Sequence, residues 1–173
     1  MSSSQHTSLL RSKFVKITAD LVDHYEMSVH KLLPIGEKFM LGEKVGSLQA
    51  TTTIKALSAE DSRPVFEVSA QGAGKLGDGD VTIMATYKAN VLADGSLYGE
   101  CPNAGVIMAQ DGIGTFRATG AGAFTADGGS TFRGVTYVQS AAPSLAGLNG
   151  KALVYDWDVD ASGNATYELW EWN

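Results

Sequence analysis

The sequence predicts an all-β chain: a single closed, antiparallel and mostly up-and-down β-barrel of about eight to ten strands, with little helix. Three observations predict it. Apolar residues recur with period two along most of the chain, glycine and aspartate cluster between those segments, and helical periodicity is scarce. At 173 residues the chain has the length of one domain and is long enough to bury well over half of its unfolded surface.

In chain order, residues 1–11 read as a flexible tail ahead of one barrel domain over 12–173, because Met1 to Arg11 carry no apolar stretch of signal-peptide length. Period-two segments follow at 13–18, 25–33, 45–57 and 64–70. Residues 21–33 also fit a helical pattern, but Pro34-Ile35-Gly36 ends it and the alternation of Met27 and Val29 competes. The clearest strand is 81–91, with Val81, Ile83, Ala85, Tyr87, Ala89 and Val91 on one face and Thr82, Thr86, Lys88 and Asn90 on the other. That pattern buries one side.

Further segments at 96–100, 104–110, 115–125, 131–140, 152–159 and 165–172 bring the total to about ten or eleven. Between them lie Gly77-Asp78-Gly79-Asp80, Asp94-Gly95, Asp111-Gly112, Asp127-Gly128-Gly129 and Ser162-Gly163-Asn164, pairs that tolerate positive φ and close tight turns. The glycine-rich run 112–128 reads as a coiled strand rather than a loop, since Phe116 and Phe124 fall on one face. A single helical turn is expected from Pro143 to Gly150, with proline at its start. A sandwich and a barrel both accommodate such strands; their length favours the barrel.

Composition narrows the function classes. The chain is 44% hydrophobic and 18% charged, as in soluble globular proteins. Thirteen Lys and Arg against nineteen Asp and Glu give a net charge of −6, and no basic run interleaves with aromatics. Nucleic acid and anionic membranes are therefore disfavoured as partners. No run of about eighteen apolar residues is present, and Cys101 is the one cysteine, so the chain has no internal disulfide. A cytoplasmic location is expected.

Thr131-Phe-Arg-Gly-Val-Thr-Tyr-Val-Gln139, Leu145-Ala-Gly-Leu-Asn-Gly150, Val154-Tyr-Asp-Trp-Asp-Val-Asp160 and Leu169-Trp-Glu-Trp172 carry a resemblance. The chain resembles small uncharacterised bacterial proteins with a barrel similar to that of allene oxide cyclase, a calycin-like architecture, over most of residues 12–172. The resemblance implies an antiparallel barrel with a small internal cavity, often assembled as a homo-oligomer. It leaves activity open. Allene oxide cyclase closes an unsaturated fatty-acid epoxide in an apolar cavity, and none of its catalytic positions is carried over to this chain.

Several motifs give way to simpler accounts. Gly72-Ala-Gly-Lys-Leu-Gly77 has the spacing of a dinucleotide fingerprint, but a strand follows where a phosphate-holding helix is needed, so a hairpin turn is expected. Asp156, Asp158, Asp160, Gly163 and Glu168 suggest a calcium loop, yet either register misplaces a required residue: the twelfth position falls on Leu169 or on Tyr167. A turn over 159–165 is simpler. His6, His24 and His30 lack ligand spacing for a metal centre. Cys101 reads as a small buried apolar residue, and no Gly-x-Ser-x-Gly elbow occurs. No metal or cofactor is implied.

What remains is a set of polar and aromatic side chains on strands: Tyr98, Glu100, Arg117, Arg133, Tyr137, Gln139, Glu168 and Trp170. An unpaired charge inside a barrel is very costly, so these residues either face out, meet another subunit, or belong to a ligand site. The leading functional reading is a barrel that binds a small hydrophobic molecule in its interior, oriented by members of this set. An isomerase or cyclase using Glu100 or Tyr98 as general acid or base is the alternative. A solid barrel serving as an interaction module is a third.

Overall fold

The computed structural model describes residues 41–173. The expected tail, the segments 13–18 and 25–33, the helix-or-strand stretch 21–33 and the three histidines lie outside the described residues. Within them the chain forms eight strands: β1 (Leu41–Glu60), β2 (Arg63–Leu76), β3 (Gly79–Val91), β4 (Leu97–Ala109), β5 (Gly112–Phe124), β6 (Ser130–Ser140), β7 (Leu153–Val159) and β8 (Asn164–Trp172). Each pairs antiparallel with its sequence neighbours, and β1 also pairs with β8, so one sheet closes on itself in a ring.

Alternation decides which side of each strand faces in. Along β3, Val81, Ile83 and Ala89 are buried while Thr82, Met84 and Thr86 are exposed, and β7 alternates Leu153, Tyr155, Trp157 and Val159 inward with half-buried Val154, Asp156 and Asp158 between them. Every strand contributes such a row to one apolar core. Each fully buried aliphatic or aromatic side chain contributes about 1.5–3 kcal/mol relative to exposure. Closure leaves the paired strands of the ring without an open edge.

The turns fall where glycine and aspartate cluster. Gly77-Asp78 joins β2 to β3 with Gly77 at φ +57°, and Gly95, Gly128 and Gly163 take positive φ in three of the other turns. Asp94, Asp111 and Asp160 hold turn backbone or neighbouring hydroxyl groups through their carboxylates. The first hairpin turns on Asp61 and Ser62, at φ +48° and +62°.

Two expectations need correction. Segments 96–100 and 104–110 are a single strand, β4, interrupted by a bulge rather than divided by a turn. Between Cys101 and Gly105, β4 advances four residues while β5 advances two, from Ala118 to Phe116. The two extra residues preserve the alternation, so Leu97, Gly99, Cys101, Gly105 and Ile107 all stay inward. Pro102, which has no N–H to pair, and Asn103, at φ +59°, sit in the bulge. Likewise Gly72 and Gly74 lie within β2, not in a hairpin turn. There the backbone of β1 comes within 2.5 Å of where a Cβ on Gly72 would stand, as tight coiling requires.

One end of the ring is sealed. The 3₁₀ turn expected near Pro143 spans Pro143–Leu148 and lays Leu145 and Leu148 over the core. Its Ser144 N–H and hydroxyl donate to Asp111, while Asn149 accepts from the Ser140 N–H and donates to the Ser140 carbonyl. At the other end β1 outruns its partner. Its ladder with β8 stops at Thr51, while its ladder with β2 continues to Glu60, with an irregularity between Leu57 and Glu60 opposite Pro64.

Candidate functional site

The interior is solid near the 3₁₀ turn and hollow beyond it. Leu48, Leu76, Ile107, Val138 and Leu169 leave a gap of about 10 Å³, at or below what one water needs. Further along lies a partly open cavity of about 60 Å³. By comparison, a closed cavity of about 150 Å³ takes a benzene, so the enclosed volume suits a group of a few heavy atoms.

Aromatic rings from five strands build its walls. Tyr87 of β3 meets Phe132 and Trp157 edge to face at 6.1 and 6.4 Å between centroids, and Tyr167 of β8 meets Tyr155 and Trp157 at 5.3 and 5.5 Å. Phe116 closes the row against Tyr167 at 6.4 Å. These rings fit because the facing positions are glycine or alanine. A Cβ on Gly105 would stand 2.4 Å from the Phe116 ring, and one on Gly120 would stand 2.4 Å from the Tyr155 hydroxyl. Ala70, Ala85 and Ala118 line the remaining wall.

The polar groups in the cavity are few. The indole N–H of Trp157 donates to the Tyr87 hydroxyl oxygen at 3.1 Å. Tyr167 lies beside the hydroxyl of Thr136, which itself donates to the Arg117 carbonyl at 3.0 Å. Burial pushes the Tyr87, Tyr155 and Tyr167 hydroxyls up from their ordinary value, so all three stay neutral, and it pushes the Cys101 thiol up as well. Cys101 is buried in the cavity wall beside the bulge.

The eight residues expected at a ligand site stand on the outer face instead. Tyr98 and Glu100 on β4, Arg117 on β5, Arg133, Tyr137 and Gln139 on β6, and Glu168 and Trp170 on β8 alternate with the inward rows. Glu100 alone among them touches the cavity, at its wall. Five of the others, Arg117, Arg133, Tyr137, Glu168 and Trp170, pair with one another or with neighbouring side chains. Arg133 binds Asp156 at 2.9 Å and Asp158 at 2.8 and 3.1 Å. The Arg117 guanidinium lies 5.9 Å from the Tyr137 ring, and Lys44 pairs with Glu168 and covers Trp170 at 5.7 Å.

That arrangement also accounts for the acidic motif. Asp156 and Asp158 face Arg133, Glu168 accepts from Ser47 at 2.8 Å, and Asp160 holds Ser162 and Asn164 in the β7–β8 turn. Tyr155, Trp157 and Tyr167 are cavity residues that the polar-residue criterion passed over. Their signal was alternation: in Val154-Tyr-Asp-Trp-Asp-Val159 the carboxylates mark the outer face, so Tyr155 and Trp157 are placed inside.

Eight antiparallel strands closed in a ring around an aromatic hollow place this chain among β-barrel-like proteins. No protein-family profile matches the sequence, and no curated protein matches it. Among solved structures it is similar to a conserved protein of unknown function from Rhodopseudomonas palustris, with TM-score 0.63 and 8% identity over 75% of this chain and 95% of that one. A protein of unknown function from Clostridium acetobutylicum aligns with TM-score 0.61 and 13% identity over 75% and 96% of the two chains. A β-barrel-like protein from Acinetobacter baumannii aligns with TM-score 0.60 and 10% identity over 75% and 94%. Likeness at this identity establishes the fold and not the activity. Among the described residues no helix is long and apolar enough to cross a membrane.

Proposed function

We propose that this chain is a binding protein, a barrel of the calycin or allene-oxide-cyclase-like kind, that holds a small hydrophobic group in its interior. The cavity between Tyr87, Phe132, Trp157 and Tyr155 carries this reading, because Gly99 and Gly120 give the rings their room while Ala70, Ala85 and Ala118 on the remaining wall leave a hollow that larger side chains would fill. Apolar volume with a few convergent polar groups is the usual makeup of a small-molecule site. The enclosed part receives a few heavy atoms, and the rest of a ligand extends through the open side. Acid–base chemistry has less support: Glu100 is the one carboxylate among the lining residues, and its side chain is exposed on the outer face.

Titration of ¹⁵N-labelled protein with isopropenylbenzene tests the reading. Saturable shifts are expected at the Trp157 indole N–H, and Ala118→Leu, which adds three carbons to the cavity wall, abolishes them while far-ultraviolet circular dichroism stays unchanged. A wild-type protein with no saturable shift overturns the proposal.

A further inference from the structure

Six of the residues lining the cavity are aromatic, and one is charged, the carboxylate Glu100. Among the described residues no Lys, Arg or His lines it. Successive rings stand at steep angles to one another. Tyr87 meets Phe132 at 75° and Trp157 at 90°, while Tyr167 meets Trp157 at 87° and Tyr155 at 66°. Such walls join like the sides of a box. A ring carries negative potential on its faces and positive potential at its edge, so a hollow bounded by π faces attracts a cation.

The charge around the hollow has the matching sign. Asp78 N–H donates to the Ser144 carbonyl, which sets the β2–β3 turn at the end covered by the 3₁₀ turn. The four hairpin turns at the other end carry Asp61, Asp94, Asp127 and Asp160, of which Asp61 is answered by Arg63. Lys88, opposite Glu100 on β3, is engaged by Glu60.

We propose that the group held in the cavity is a quaternary ammonium, a trimethylammonium head on an apolar body, with its methyl groups against the ring faces and Glu100 as the counter-charge. This rests on the cavity being the binding site. An anion would be buried there without compensation. A primary ammonium brings three N–H donors that each need an acceptor, and the lining is mostly apolar. A trimethylammonium head has no N–H and presents only methyl surface. Its nitrogen and three carbons are within what an enclosed volume of about 60 Å³ receives, and the body of the ligand extends through the open side.

Phenyltrimethylammonium and tert-butylbenzene have the same shape and differ in N⁺ against C. Wild-type protein is expected to bind the cation roughly tenfold more tightly, the worth of a desolvated cation–π contact. The N-methyl proton resonance is expected to move upfield, as it does over a ring face. Phe132→Leu, which removes a π face but keeps an apolar side chain, and Glu100→Gln are each expected to shrink the ratio of the two affinities several-fold. Because the readout is a ratio, a loss of folded protein common to both ligands cancels. Equal wild-type affinities, a preference for tert-butylbenzene, or an N-methyl resonance that does not move upfield overturns the assignment while leaving the cavity reading intact. A ratio that either substitution leaves untouched does the same, as does failure of both compounds where isopropenylbenzene binds. Failure of all three to bind overturns the cavity reading and this inference with it.

Discussion

Trp157 and Tyr87 are hydrogen-bonded across the interior of the ring, indole N–H to phenol oxygen at 3.1 Å. Their strands, β7 and β3, stand four places apart in a ring of eight, so the bond joins opposite walls. It is a cross-brace through the one region of the core that is not filled.

Removing the brace has a defined cost. Tyr87→Phe leaves the Trp157 N–H without its acceptor in a half-buried site, and a loss of about 1–3 kcal/mol is expected. Tyr87→Lys introduces an unpaired charge at the same place, and about 3–5 kcal/mol is expected. Urea denaturation followed by circular dichroism measures both. A Tyr87→Lys midpoint equal to wild type would show that β3 turns its other face to the core.

The fit between Gly105 and Phe116 leads to a second expectation. Three ring atoms of Phe116 lie within 2.5 Å of where a Cβ on Gly105 would be. Gly105→Ala must therefore displace the ring, at about 1–3 kcal/mol. A stability change near zero would mean that the ring rotates into the cavity at no cost, and the indole resonance of Trp157 would then move.

Alkaline titration tests the buried phenols. Tyr155 and Tyr167 are held above their ordinary value of 10.0 by burial. A group raised in the folded state contributes stability that is whole below the unfolded value and is lost as pH climbs past it. Stability is expected to fall above pH 10, and these tyrosines are expected to ionise only together with unfolding. Absorbance at 295 nm recorded beside circular dichroism reads this directly. Full tyrosinate formation in a still-folded protein would contradict it.

On the acid side the sign reverses. The Arg133 hydrogen bond holds Asp158 below the usual carboxylate value of 3.8. Its contribution is present above that value and disappears as pH falls through the lowered one. Arg133→Gln should make the acid limb of the stability profile shallower, with little change near pH 7 beyond that of losing an exposed pair. An unchanged acid limb would show that the turn carboxylates Asp94, Asp111 and Asp160, which are also lowered, dominate it.

Cys101 offers a probe of the cavity itself. Its thiol is buried and held protonated, and it lines the hollow. Slow reaction with a thiol reagent is expected in the folded protein, slower still with isopropenylbenzene bound. Labelling that is unaffected by the hydrocarbon would place the route to Cys101 through the β4 bulge.

Much of the fold was legible because turns and alternation are local. Asp94-Gly95, Asp127-Gly128-Gly129 and Ser162-Gly163 mark three of the hairpins directly, and period two assigns faces without knowledge of any partner strand. The fusion of 96–100 with 104–110 was not legible. The period-two pattern breaks at Cys101-Pro102-Asn103, and only pairing of both halves with β3 and β5 makes the break a bulge. The cavity was hidden for a related reason. Polarity singled out Arg117, Arg133 and Glu168, which solvate the outer face, whereas the hollow depends on which glycine of one strand lies beside which ring of another.

The overhang of β1 has a bearing on how copies of this chain coexist in solution. Past Thr52, whose N–H and hydroxyl donate to the Gly163 carbonyl, the strand pairs with β2 along one edge and, among the described residues, has no ladder along the other, a geometry that can recruit foreign strands. The sequence there works against recruitment. Lys55 sets like charge opposite like charge when two such edges meet in antiparallel register about it, and the register irregularity between Leu57 and Glu60 breaks the regular ladder beyond.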